Sequence, residues 1–408
     1  MNEENISIQS NQKFTSGNLG LFVRLPLTKH NMSMASLLCR MQMNESELFP
    51  DPSLQQVELQ QRYSFQFEAV VQLFGKEMVI SYLANFVEPQ EILDPDYNYR
   101  QIAETFAGLA TRPLITPSSV QLAQRQLEEE YQELMAEPSN AALSAFFNNW
   151  YADQPDYAAS FIGTIEDITK ATSQEVRRFA DAIKTQASCV IGHVYDARQV
   201  KRLLKKKLQQ EEGWPGLALD FGSRDLLISA PDLRIEKTDE QGKQQAQLFL
   251  GYAYKGQPSL QDLATGTVLR QYLTGDQSSR LFSKVREENG AAYAVESNWY
   301  ADNALFLVNA GLDPDKLDLA RQIIGKEMQM VADGRIDPGL LKQSRQALAN
   351  RHLLNQDHAS WLLAKDLRYK LHADYEDFDM MAAVSRVTSG RLADFAQKLY
   401  LNESYVLK

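Results

Sequence analysis

The chain has 408 residues, 44% of them hydrophobic and 23% charged, and a net charge of −11. That length is more than one ordinary core fills and predicts two or three domains. The acidic balance, with basic residues scattered apart from Lys205-Lys206-Lys207, argues against nucleic acid and membrane as partners.

Residues 1–18 read as a loose polar arm. Its start, Met1-Asn2-Glu3-Glu4-Asn5, has neither the basic flank nor the apolar stretch of a signal or transit peptide. No run of about 18 apolar residues occurs, so no membrane span is expected. Cys39 and Cys189 are too few for a disulfide framework or a Cys-rich metal site. The expected location is cytoplasmic. Residues 19–27 form a short strand that Pro26 ends or places on a sheet edge. A helix over 33–43 follows, with Met34, Leu37, Leu38 and Met41 spaced to face a core.

Tyr63, Phe65, Phe67, Ala69 and Val71 alternate as one strand. Phe74-Gly75-Lys76 turns the chain, and 78–87 returns. Helices are predicted at 97–109, 118–136, 140–150 and 173–183, then a strand at 188–192 and a helix at 200–209. Glu128, Glu129, Glu130 and Glu133 read as a solvated helix face. Sheets covered by helices on one face predict an α+β fold.

The chain repeats itself. Thr172, Ser173, Phe179 and Ala180 recur in order as Thr388, Ser389, Phe395 and Ala396. The strand Ser188-Cys189-Val190-Ile191 recurs as Ser404-Tyr405-Val406-Leu407, and 19–25 is echoed by 246–252, which leads into a helix over 259–273. Two homologous halves are therefore expected, 1–210 and 241–408, joined by a linker over 211–240. There Glu211-Glu212-Gly213-Trp214-Pro215-Gly216 breaks structure, and a charged run over 236–243 leads into the second half. Further helices are predicted at 313–333, 338–354 and 359–371, with an acidic loop over 374–379.

Residues 278–295 read as helix, stop and strand. Asp276, Ser278 and Ser279 are candidate caps, and Leu281, Phe282 and Val285 make an apolar stripe. Asn289-Gly290 tolerates the left-handed backbone that ends a helix. Tyr293, Val295 and Trp299 fall on one side of the following strand. Arg286 thus sits in the last helical turn, and Tyr293 near the start of the strand. A cation beside a phenol suits an oxyanion or a peptide carbonyl. Equally, Arg286 can complement the helix C-terminus and Tyr293 can pack on the sheet.

The run S-S-R-L-F-x-x-V-R-E-x-x-G-x-A-Y-x-V resembles the C-terminal half of pitrilysin/insulinase-type peptidases, the inverted zincins. The resemblance implies two α/β-roll halves in a clamshell, each an antiparallel sheet with helices on one face. It implies that Arg286 and Tyr293 are a substrate-contacting pair. Within the family it is nearest to a zinc-less bacterial branch associated with 5-aminopentanol modification of elongation factor P.

Catalytic members carry H-x-x-E-H on the first long helix, two zinc-binding His one turn apart with a Glu as base. Here Ser36-Leu37-Leu38-Cys39-Arg40 falls at that place. Ser36 is a poor zinc ligand, and Arg40 cannot deprotonate to become one. Neither Cys39 alone nor the glutamates of 118–136 make a site without two His. His30, His193, His352, His358 and His372 do not rebuild one. No cofactor is therefore expected on this chain, and zinc is expected on a partner.

A chain with the pair and without the zinc motif looks like the non-zinc, substrate-binding subunit of a two-subunit zinc peptidase. It would be inactive alone, with a homologous H-x-x-E-H-bearing subunit and a peptide as partners. The alternative is a catalytically inactive structural or peptide-binding scaffold of the same fold. A homodimer that binds peptides without cutting them is a third reading.

Overall fold

Among the described residues ten strands form two sheets, because the chain twice supplies the same set of apolar segments. The structure is a computed structural model that describes residues 5–158, 162–232, 234–242, 245–375 and 377–408. The N-terminal Met1–Glu4, Lys243 of the charged run and Glu376 of the acidic loop lie outside the described residues.

The first sheet holds β1 (Ile6–Ser10), β2 (Ser16–Pro26), β3 (Gln66–Phe74), β4 (Glu77–Val87) and β5 (Ser188–Val194) in the order β1-β5-β2-β4-β3. The second holds β6 (Ile235–Asp239), β7 (Ala246–Tyr254), β8 (Ala294–Tyr300), β9 (Leu305–Leu312) and β10 (Leu399–Leu407) in the order β6-β10-β7-β9-β8. In each, the first strand pairs in parallel and the other neighbours are antiparallel. The sheets are thus mixed at one edge. The echoes in the sequence also share a register. Val23 lies opposite Ser188, and Leu250 opposite Ser404.

Three expectations are corrected. The described part of the expected arm, residues 5–18, is not loose: Ile6–Ser10 pairs with β5, Ile6 is buried, and the Asn5 Nδ2 donates to the Leu217 and Leu219 carbonyls at 3.0 and 2.5 Å. The alternating strand does not start at Tyr63. Tyr63 and Ser64 have φ of 55° and 59°, left-handed values that turn the chain before β3. The charged run after residue 235 is partly strand as well, since β6 pairs with β10.

The chain divides into two compact units that exchange segments. One comprises Met1–Gln132, Ala159–Leu226 and Gln356–Glu376; the other comprises Glu133–Ala158, Leu227–Asn355 and Asp377–Lys408. In the first unit Leu19, Leu21, Val23 and Leu25 of β2 are buried, as are Met34, Leu37, Leu38 and Met41 of the helix Lys29–Asn44. Thr28 caps that helix by accepting from the Asn31 N–H. In the second unit Leu248, Leu250, Phe306 and Val308 share a core with Val268 and Leu269 of the helix Leu260–Thr274.

The central strands are apolar on their other face too, and one helix covers each. The helix Ala359–Leu371 puts Leu363, Leu367 and Leu371 on Phe22, Val79, Cys189 and Ile191 of the first sheet. The helix Pro138–Trp150 puts Phe146 and Trp150 on Phe249, Leu307 and Tyr405 of the second. Each second-face helix comes from the other half of the sequence. Among the described residues, no helix is long and apolar enough to cross a membrane.

Candidate functional site

The stretch from Asp276 to Tyr293 is built by local hydrogen bonds. The Asp276 Oδ1 accepts from the Ser278 N–H and hydroxyl at 2.9 and 2.6 Å, and the Ser279 hydroxyl donates to the Asp276 carbonyl at 2.5 Å. The predicted helix is wound wider than an α-helix. Phe282–Glu287 is π-helical, and the Glu288 N–H reaches back five residues to the Ser283 carbonyl at 2.9 Å. It ends as its sequence predicts. Gly290 has φ 54°, its N–H caps the Arg286 carbonyl at 3.0 Å, and the Ala291 N–H caps Val285 at 2.7 Å.

Leu281 and Val285 are fully buried, but Phe282 is not a core residue. Its ring carries the Arg286 guanidinium at 4.9 Å. Arg280 anchors the turn: its Nε and Nη2 donate to the Glu327 Oε2 at 2.9 and 2.7 Å, and Glu327 is buried on the helix Leu317–Ala332. Sequence reasoning passed over Glu327. Its only signal is a carboxylate on the inward stripe of an amphipathic helix.

Arg286 and Tyr293 both face solvent. The Arg286 side chain is 48% exposed, with its Nε 3.9 Å from the neighbouring Glu287 carboxylate. Tyr293 is 52% exposed, although it shares a strand side with the buried Val295. Its backbone N–H donates to the Gly311 carbonyl at 2.9 Å, which fixes it to the end of β9. Its phenol donates to the Asp313 Oδ1 at 2.6 Å. That hydrogen bond, with partial desolvation and the Asp313 charge, raises the phenol above its ordinary range. Among the described residues, no hydrogen bond joins Arg286 to Tyr293. Asp313 was not singled out from the sequence, where Asp313-Pro314 reads only as a helix start.

The place of the absent metal motif is filled by other chemistry. Ser36 and Cys39 are buried on the helix Lys29–Asn44, and burial pushes the Cys39 thiol up to about 12. Arg40 makes an ion pair with Glu130 of the helix Pro117–Ala136. Glu128, Glu129 and Glu133 are exposed, as a solvated face requires, and Glu130 of the same face has this cation in reach. A hydroxyl, a protonated thiol and a guanidinium do not fit a zinc ion. Among the described residues, no group of three or more His, Cys, Asp and Glu could hold a metal. Of the histidines, His193 is buried with its Nε2 3.1 Å from the Asp366 Oδ2, and His372 stacks on Tyr375 at 4.2 Å.

Residues 140–348, which include Arg286 and Tyr293, match the family described as peptidase M16 inactive domain. An uncharacterized zinc protease of Streptomyces coelicolor is 27% identical over 240 residues, covering 56% of this chain and 51% of that protein. The chain thus spans about half the length of the curated relatives it matches. A conserved protein from Enterococcus faecalis has a similar structure, with TM-score 0.86 and 17% identity over 99% of this chain and 96% of that one. A protease from Helicobacter pylori follows with TM-score 0.80 and 15% identity over 99% and 96%. At these identities the two structures speak for the fold alone.

Proposed function

The chain belongs to the peptidase M16 family, and from that premise we propose that it is a non-zinc, substrate-binding subunit of a two-subunit zinc peptidase. The observation that carries the proposal is the state of Arg286 and Tyr293. Both lie on the family-matched stretch, and both are exposed with donors turned to solvent or to one carboxylate. The Arg40–Glu130 pair supports the zinc-less part of the reading. The placement in the elongation factor P-associated branch belongs to the same proposal and rests on the 278–295 run.

The roles follow from charge and geometry. Arg286, steadied on the Phe282 ring, binds peptide carbonyls and stabilises negative charge that develops on one of them. Tyr293, whose single phenol proton is held by the Asp313 carboxylate in the free chain, turns that proton to the same oxygen when peptide binds. Asp313 is the positioning residue that orients the phenol. The metal and the attacking water belong to the H-x-x-E-H-bearing partner.

The test is peptide hydrolysis by this chain mixed with an H-x-x-E-H-bearing homologue, with each chain alone as control. Cleavage is expected only in the mixture, and Arg286→Ala or Tyr293→Phe is expected to lower kcat/KM about tenfold or more. An inactive mixture, or unaffected variants, gives the pair to packing and favours the scaffold. Metal analysis of the purified chain is expected to find no stoichiometric zinc. About one chelator-removable zinc per chain would overturn the proposal.

A further inference from the structure

A line of polar side chains crosses the whole first sheet. Gln9 on β1 lies opposite His193 on β5, His193 opposite Asn18 on β2, Asn18 opposite Asn85 on β4, and Asn85 opposite Gln66 on β3. They lie on the face crossed by the helix Ala359–Leu371, where further along the strands stand Phe22, Cys189 and Ile191. Polar residues under a helix carry a desolvation cost unless they find partners.

At one end of the line Asp366 of the helix accepts from the Gln9 Nε2 at 3.1 Å and lies 3.1 Å from the His193 Nε2, which makes no hydrogen bond. In the middle partners are absent. Asn18 is only 2% exposed, and neither its Oδ1 nor its Nδ2 has a hydrogen-bond partner. It lines a cleft of about 290 Å³ between that helix and β2, β4 and β3. Phe22, Leu83, Leu363 and Leu367 give the cleft an apolar lining, and Asn85 and Gln66 add exposed amides. Among the described residues, no Lys, Arg or His lines it, and its one charged lining residue, Glu68, is an exposed carboxylate.

We infer that this cleft binds a small neutral ligand that presents an amide beside an aliphatic group, such as an apolar residue of a peptide. A buried carboxamide offers one acceptor and two donors, and a ligand amide answers both kinds at once. The apolar walls take an aliphatic side chain. With no cation in the lining, a carboxylate would be desolvated without compensation. The volume lies at the small end of ligand pockets, about 300 Å³, which suits one amino-acid unit. The site is independent of Arg286 and Tyr293, which belong to the other compact unit.

The test is calorimetric titration of the full chain with N-acetyl-leucinamide and, separately, with N-acetyl-leucinate. Two variants accompany it: Asn18→Leu, which removes the amide at similar size, and Ala364→Trp, which fills the cleft from an exposed position. Saturable binding of the amide is expected. Affinity should be about tenfold or more weaker for the carboxylate and for Asn18→Leu, and binding should be lost in Ala364→Trp. No saturable binding of the amide by the unmodified chain overturns the inference, as it would if the cleft held only water. Equal binding of amide and carboxylate, or Ala364→Trp binding unchanged, overturns it too. If Asn18→Leu does not fold, the other two comparisons still decide.

Discussion

The two sheets have the same strand order, the same senses and the same register at β2/β5 and β7/β10, yet their second faces are filled in opposite ways. In the second unit the face is closely packed and aromatic. Phe146 and Trp150 lie so close to β7 that a Cβ on Gly251 would meet their ring atoms at 2.6 and 2.7 Å. Opposite Gly251 is Glu403, a single fully buried carboxyl among Phe146, Trp150 and Tyr405. In the first unit the same face carries the polar line and an open cleft. Strand order and the main core are common to both copies, while the second face depends on a helix borrowed from elsewhere in the chain. That face is therefore where one copy can acquire a site the other lacks.

The largest expected effect tests the aromatic face. Trp150 is 1% exposed and packs on Phe146 at a ring separation of 5.7 Å. Trp150→Ala should cost about 3–5 kcal/mol by urea unfolding, since the aromatic layer cannot collapse into the space. The matched change in the first unit, Leu367→Ala, should cost about 2–3 kcal/mol, because its side chain already borders a cleft. A larger loss from Leu367→Ala than from Trp150→Ala would break the comparison.

The next effect concerns Glu403. Burial pushes its carboxyl up to about 8, with the Asn149 amide and Lys237 offsetting only part of the rise. The folded state thus holds a proton that the unfolded chain releases near pH 4. The stability contributed by this group is complete below about pH 4, falls as pH rises towards 8, and is flat above that. Lys237 is the charged group that acts on it, and Tyr405, which donates to Asp239 at 2.8 Å, feels the Glu403 charge in turn. Glu403→Gln should leave stability unchanged near pH 4 and raise it by about 2–3 kcal/mol at pH 8.5, a part of the full linkage. Denaturant melts at the two pH values check this. A Gln variant that tracks the parent at both would show that the carboxyl is solvated.

The sequence made the local parts of this arrangement legible. The helix Ser173–Ile183 is where it was expected, because Thr172 and Glu175 form a capping box and the apolar stripe is strong. The helix Ala359–Leu371 likewise has the predicted bounds. What stayed hidden depends on partners far along the chain. β1 and β6 are short and polar, and become strands only through parallel pairing with β5 and β10. The helix Pro52–Gln61 buries only Gln55 and so has no stripe to read, although Asp51 before Pro52 was a usable start signal. At the candidate site, the motif marked Arg286 and Tyr293, but Asp313 and Glu327 are found only through tertiary contact. The polar line was invisible for the same reason: its five members sit on five different strands.

The smallest effect has the opposite sign and sharpens the contrast most. Asn18→Leu makes the first sheet's second face resemble the second sheet's at one position. An amide buried without partners costs more than it returns, and an apolar group of similar shape removes that cost. The variant should therefore be more stable than the parent by about 1 kcal/mol with no ligand present, read as a rise in the urea midpoint at unchanged slope. Added N-acetyl-leucinamide should then raise the parent's midpoint and leave the variant's where it was, because only the parent gains binding energy in the folded state. A destabilised Asn18→Leu variant would mean that the amide is already satisfied by water, and the two second faces would then differ in hydration and not in what they bind.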